Sequence, residues 1–478
     1  MTVYRLNASP KGRECARRTA AVLSLLVMVA LSPSWAQAAG TLAAVPRLEA
    51  NPADAECPVV DGRQSLQQLI AFALAHNPEV SATAFDGQAA EARTRAAKSV
   101  RLPRFSVEGG YTVYGDDLRL IAARYNGELG VFGNNILSAD LVLRLPLFTG
   151  GRLSAEIRAA DLLEASAGQL LVRSKADLAF NISSLYYSLL AQMRLIDSLT
   201  FTAGTLDFQL KRVNALIDAR KAAKVDALRT EVKLADIRQR LLREQNGFAV
   251  QRQALLNLMG AAGCGADFRL EGELVTPPAE SKSLAEAIET ALSRRPDAIA
   301  ARTEVEAQAA RVAAASAGHW PTVNLVGAVG RRVMYDPTQE PRGQNSNEDA
   351  SRIGITFEIP VFEGGRISAR IDEENAKLFA QRRRLNKLGL QIRLEVEIAH
   401  ANLVSGLERL LATETTVALA DESQRIEGEK YALGRGTLLD VLDAQSSLLD
   451  AQATRIRALA DSNTAAAQLA WATGENLP

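Results

Sequence analysis

Histidine and cysteine are the side chains in this sequence best equipped to bind a metal or act as nucleophiles, and their placement argues for neither. His76, His319 and His400 stand far apart, without the close second ligand that metal sites use. No serine or cysteine is matched to a histidine and a carboxylate in a recognisable catalytic set. Gly150-Gly151 lacks both the glycine-rich fingerprint and the Lys-Ser/Thr that a phosphate-cradling loop needs. No enzymatic role, metal or cofactor is therefore expected. Cysteine chemistry reduces to one question: Cys57 and Cys264 can form a disulfide in an exported protein or remain two free thiols.

Export is read from the first 38 residues. Arg5, Lys11, Arg13, Arg17 and Arg18 precede an apolar run at 20–31, and Ala36-Gln37-Ala38 offers a small-residue cleavage site, the pattern of a signal peptide. The run is shorter than the ~20 residues of a spanning helix. Cys15 lies before it, where lipidation does not occur. Removing residues 1–38 takes five Lys/Arg and one Glu from 55 of each sign, leaving 50 basic and 54 acidic residues, a net charge of −4. That balance gives no reason to expect nucleic acid as a partner. Later residues hold no apolar run of spanning length, so membrane contact must come through β-structure or a surface helix.

The elements behind these residues come in duplicate. Leu145-Pro146-Leu147-Phe148-Thr149-Gly150-Gly151-Arg152 returns 214 positions later as Ile359-Pro360-Val361-Phe362-Glu363-Gly364-Gly365-Arg366. Upstream, Ser65-Leu66, Ala73-Leu74, Pro78 and Pro103 match Ser283-Leu284, Ala291-Leu292, Pro296 and Pro321 at an offset of 218. The chain thus divides into an N-terminal extension (39–64), a first repeat (65–260), a linker (261–282), a second repeat (283–474) and a short tail (475–478). The four-residue difference in offset belongs in a loop, and 115–134 reads as one. Cys57 and Cys264 flank the first repeat, so a disulfide would tie its start to its finish.

Each repeat changes architecture at the duplicated phrase. Residues 147–276 and 361–477 contain no proline and are rich in strong helix formers. Leu385, Leu388, Ile392, Val396, Ala399, Leu403, Leu407 and Leu410 form one apolar stripe, and Leu390, Leu394 and Ile398 a second. Two stripes call for helical neighbours on both sides. A helix from about 151 to 216 would be roughly 100 Å long, too long for a globular core. Before each long helix, two segments alternate apolar and polar residues: 103–114 and 136–148, then 321–332 and 351–362. One apolar and one polar face suit a barrel between lipid and water, although a soluble half-buried sheet alternates similarly. Four strands cannot close a membrane barrel, whose smallest common form has about eight. An open edge in lipid costs several kcal/mol per unpaired group. Several copies must therefore combine, and a ring of long helices around a bore favours three over two.

With duplication, the strand-Pro-Φ-Phe-x-Gly-Gly phrase and a hairpin at 431–444, the chain resembles the TolC family of outer-membrane channel proteins over about residues 65–474. The resemblance implies a homotrimer with a twelve-stranded barrel in the outer membrane of a Gram-negative bacterium and a twelve-helix tunnel in the periplasm. It implies an exit duct for efflux or type I secretion, partnered by a periplasmic adaptor and an inner-membrane transporter. The glycine pairs would relieve the crowded strand-to-helix passages, with Pro146 and Pro360 at the strand exits. By position, Asp440 and Asp443 fall where the family's entrance is constricted, three residues apart on one helix face. Six such carboxylates would repel anions and raise the pKa of some members; a solvated helix start is the other reading, since Asp suits a helix N-terminus. Tyr431 and Asp226 fit the family's gate links, whereas its arginine position falls on Gly436, with Arg435 one residue early. Gly434 and Gly436 mark the second tip. The first tip departs further, with Arg220 where glycine is usual and Lys221 and Lys224 beside it. Both tips are expected to contact the adaptor. A periplasmic coiled-coil scaffold is the competing class, and it has no use for the alternating strands.

Overall fold

The computed structural model describes residues 62–120, 130–220, 222–262, 268–278, 283–340 and 346–475. The expected signal peptide and disulfide (Cys57, Cys264), the extension before Gly62, Lys221 and the last three residues lie outside this set.

Both repeats open on the same local device. Ser65 accepts from the Gln68 amide while the Gln68 side chain accepts from the Ser65 amide, which starts helix α1 (Leu66–His76); Ser283 and Glu286 do the same for α5 (Leu284–Arg294). Proline then restarts the chain as α2 (Pro78–Ser99) and α6 (Pro296–Ser316), in the first turn, where its missing N–H costs nothing. Strands β2 (Arg104–Arg119) and β3 (Phe132–Phe148) follow α2, and β5 (Thr322–Met334) and β6 (Asn347–Glu358) follow α6. They form one antiparallel sheet in the order β2-β3-β5-β6. Each repeat then runs down a 67-residue helix, α3 (Arg152–Asp218) or α7 (Arg366–Ala432), and back along α4 (Lys224–Leu258) or α8 (Leu438–Thr473).

Strand order and helix order agree. Helices α2, α3, α6 and α7 are neighbours in that sequence, so each strand continues into the helix beneath it. Further down, α8 packs against both α7 and α3. The first apolar stripe of α7 is the packed one: Ile392, Val396, Ala399, Leu403 and Leu410 are buried with Leu469 and Ala472 of α8 or their surroundings. The second stripe is open, with Leu390 70% and Leu394 55% exposed. No helix among the described residues is long and apolar enough to cross a membrane.

Several boundaries differ from the sequence reading. Residues 115–119 and 132–134 belong to strands rather than to a loop, because pairing resumes at Leu118↔Gly133 and Arg119↔Phe132 beyond an irregularity after Val113. Pro146 is not at a strand exit. It lies inside β3 opposite Asn324, where the register slips before Phe148 and the ladder does not need its amide. Pro360 stands just past β6, which ends at Glu358 opposite Thr322, the first residue of its partner β5. The linker also contains a strand that period-two patterning could not show: β4 (Phe268–Leu270) pairs in parallel with β1 (Gly62–Gln64).

One buried ionic node joins the halves. Arg295, 1% exposed, reaches Asp297 at 2.7 Å and Glu395 at 2.6 Å. Arg173 of the first repeat and Arg295 of the second both lie over the Trp471 ring, whose Nε1 donates to Asp177. Burial pushes the Asp297 carboxyl up, but the bonds and charge of Arg295, with Arg173, outweigh it and hold the group below the usual aspartate range. A depressed carboxylate contributes stability in full above its unfolded value and loses it as pH falls through the folded one. The node should therefore weaken only below about pH 4. Replacing Arg295 with methionine leaves two carboxylates without their cation and should destabilise the protein by about 3–5 kcal/mol. Denaturant unfolding of the purified protein checks this, and an unchanged midpoint contradicts it.

Candidate functional site

The two strand-to-helix passages use left-handed glycines at equivalent places. Gly150 and Gly151 have φ of 65° and 88°, Gly364 and Gly365 of 59° and 82°. A Cβ on Gly150 would stand 2.4 Å from the Cβ of Trp320, so no larger residue fits there. Trp320, Val361 and Phe362 surround the passages on the outside, with Phe362 88% exposed.

Above them the sheet has two distinct faces. One carries Phe105, Leu143 and Ile353 in one cross-strand row, then Val107, Leu141 and Val329 in the next. The other carries Glu108 opposite Asp140 and Arg332 opposite Glu348, with Glu108 paired to Arg144 at 2.8 Å. Arg331 and Asp349 end the apolar face as an ion pair at 2.8 Å. Among the described residues the outer edges of β2 and β6 have no strand partner.

The far end of the helices holds most of the sequence-predicted residues. Asp440 and Asp443 are both exposed, on the side of α8 opposite the buried Leu438, Val441, Leu442 and Ala444. Asp440 is also a cap: its carboxylate accepts from the Thr437 amide at 3.0 Å and hydroxyl at 2.7 Å. Those bonds hold its carboxyl below the ordinary aspartate range. Asp440 is thus an exposed cap at a helix start.

Tyr431 is half-buried in the cluster that contains Leu438, Leu442 and Ala227, next to Asp226. Among the described residues no hydrogen bond or ion pair joins Tyr431 or Arg435 to Asp226, and the structure does not bring these three together as a lock. Gly436 is tightly held, since a Cβ there would lie 3.1 Å from that of Lys430 and 3.2 Å from the Tyr431 amide. Sequence reasoning missed the ties between the hairpins. Lys233 donates to Ser446 at 2.8 Å and Arg240 meets Asp450 at 3.1 Å, linking α4 to α8. Their only sequence signal is an offset of 210 to 213, close to the repeat length.

The tips share one backbone. Ala219 and Arg220 bond back to Ala215 and Ile217 as Leu433 and Gly434 bond to Glu429 and Tyr431. Gly434 takes φ of 71° at no cost, and Arg220 takes φ of 61° with a side chain.

Fold and site define the class: a sheet with one apolar and one charged face, standing on a helical stalk, is the build of an outer-membrane exit duct. Solved channels share the fold. CusC superposes with a TM-score of 0.71 at 19% identity, covering 86% of this chain and 92% of that one. VceC of Vibrio cholerae gives 0.69 at 21%, covering 86% and 96%. A family model described as outer membrane efflux protein matches residues 69–261 and 287–475. The chain belongs to the outer membrane efflux protein family. Its relatives include the outer membrane protein TolC of Salmonella enteritidis, 25% identical over 81% of this chain and 77% of that protein. Protein CyaE of Bordetella pertussis is 25% identical over 86% and 84%. The protein resides in the outer membrane and extends into the periplasm.

Replacing Arg220 with glycine should remove the left-handed strain and stabilise the first tip by about 1 kcal/mol. Slower hydrogen exchange of the amides on either side of the turn is the expected result; faster exchange contradicts it.

Proposed function

We propose that three copies of this chain form a closed channel of twelve strands continued by twelve helices. The two unpaired sheet edges carry this reading. In hydrocarbon they must be satisfied, and pairing β6 of one copy with β2 of the next does so around a ring. The open stripe Leu390–Leu394–Ile398 on α7 supplies apolar surface for a neighbouring helix at the same time. Three copies rather than two leave a bore among helices of this thickness.

In that ring the exposed Asp440 and Asp443 of each protomer line the periplasmic constriction, where six carboxylates favour cations over anions. The hairpin tips dock a periplasmic adaptor, which couples the duct to an inner-membrane transporter, and docking opens the constriction. Opening separates neighbouring hairpins, with Tyr431, Arg435 and Asp226 in the contacts that hold them closed. Relatives include both an efflux channel and a CyaE protein, and the proposed cargo spans small molecules and polypeptides.

Two measurements test the reading. Channels carrying Asp440→Asn with Asp443→Asn should lose most of their cation preference in planar bilayers at low salt; unchanged selectivity contradicts the carboxylate ring. Reversing the charge of Arg220, Lys221 and Lys224 together should weaken adaptor binding while leaving oligomer assembly intact, and equal affinity would remove the first tip from the docking surface.

A further inference from the structure

Roughly 45 Å along α3 from the tip, the β1–β4 ribbon and helices α3 and α4 enclose a half-open cup of about 630 Å³. Its floor is apolar, built from Leu189 and Met193 of α3, Phe248 of α4 and Phe268 of β4. Its rim is basic. Arg194 is engaged by Glu273 at 3.4 Å, and Arg252 lies 5.1 Å over the Phe268 ring. Arg63 and Arg269 are different. They stand directly opposite each other in the parallel register, so both side chains leave the same face of the ribbon. Both are exposed, and neither guanidinium makes an ion pair or hydrogen bond among the described residues. Glu271, just past the end of β4, pairs with neither.

Like charges directly opposite across two strands destabilise the pairing. A ribbon of three residues per strand has little stability of its own to spare. Two uncommitted guanidinium groups side by side are, however, a receptor for a planar or tetrahedral anion, which each can grip with parallel N–H donors. The adjoining floor lies within the size range of small-molecule sites, which combine apolar walls with a few placed polar groups.

We propose that this cup binds an amphiphilic organic anion, with its acidic head between Arg63 and Arg269 and its apolar body on Met193, Phe248 and Phe268. The assignment rests on the ribbon and the helices beside it and does not depend on the carboxylate constriction or on adaptor docking. Occupancy relieves the repulsion between the two arginines and so tightens the ribbon that joins the region before α1 to the linker between the repeats.

Naphthalene-2-sulfonate is a suitable probe, titrated calorimetrically into the full-length protein in lipid nanodiscs with empty nanodiscs as reference. Saturable binding of one probe per chain is expected, with naphthalene-2-sulfonamide, which lacks the charge, much weaker. Arg63→Gln with Arg269→Gln should weaken binding at least about tenfold through loss of the charged hydrogen bonds. Met193→Trp, which fills the floor and leaves the arginines in place, should weaken it comparably. Both variants should keep the wild-type oligomer. No saturable binding to the wild type, or equal affinity in the arginine variant, would overturn the proposal.

Discussion

Every peptide group that enters hydrocarbon must find its hydrogen bond within the protein, and this one requirement organises the molecule. A four-stranded sheet satisfies its interior ladder and leaves two outer edges. A soluble protein can blunt such edges with water, charge or a covering loop. A sheet whose outward face is Phe105, Val107, Leu141, Ile353 and Ile355 has only another strand to turn to. The proposed assembly answers this demand of the two edges. The helices inherit the same arrangement, since each strand stands on its own helix in the same order. Closing the sheet therefore closes the stalk beneath it.

Duplication supplies the matching parts, and its departures from symmetry are physically specific. Both repeats need left-handed glycines where the strand turns into the helix, and both have them. Asn77 and Arg295 occupy equivalent positions before a proline but do different work. Asn77 caps its helix, accepting from the Glu79 and Val80 amides, whereas Arg295 gives up capping to become the buried cation between Asp297 and Glu395. At the tips the backbone is the same and the residues are not, with Arg220 in the conformation that Gly434 takes freely. The halves agree at the strand-to-helix passages and diverge at a buried cap and at the exposed tips.

Much of this was legible in the sequence because periodicity and proline spacing are direct records of strands and long helices. The long helices and the facing of the four strands followed from the absence of proline and the placement of apolar residues. Strand ends were less legible: Gly115, Asp116 and Asp117 look like loop residues, yet β2 continues past them, skipping their rungs and pairing again at Leu118↔Gly133. Pro146 looked like a strand end because a proline cannot donate, and only the slip in register shows how a central strand tolerates it. Ribbon β1–β4 and the Arg295 node escaped because they depend on contacts between residues 100 to 200 positions apart. For Asp440 two readings were open in the sequence, and the geometry supplies the helix-start cap through its bond to Thr437.

The central claim, that closure comes from neighbouring copies, is tested most directly by the native mass of the complex extracted from the outer membrane. A particle of three processed chains, stable in detergent and conducting when returned to a bilayer, is the predicted result. A single chain that remains folded and conducting in the bilayer would contradict it.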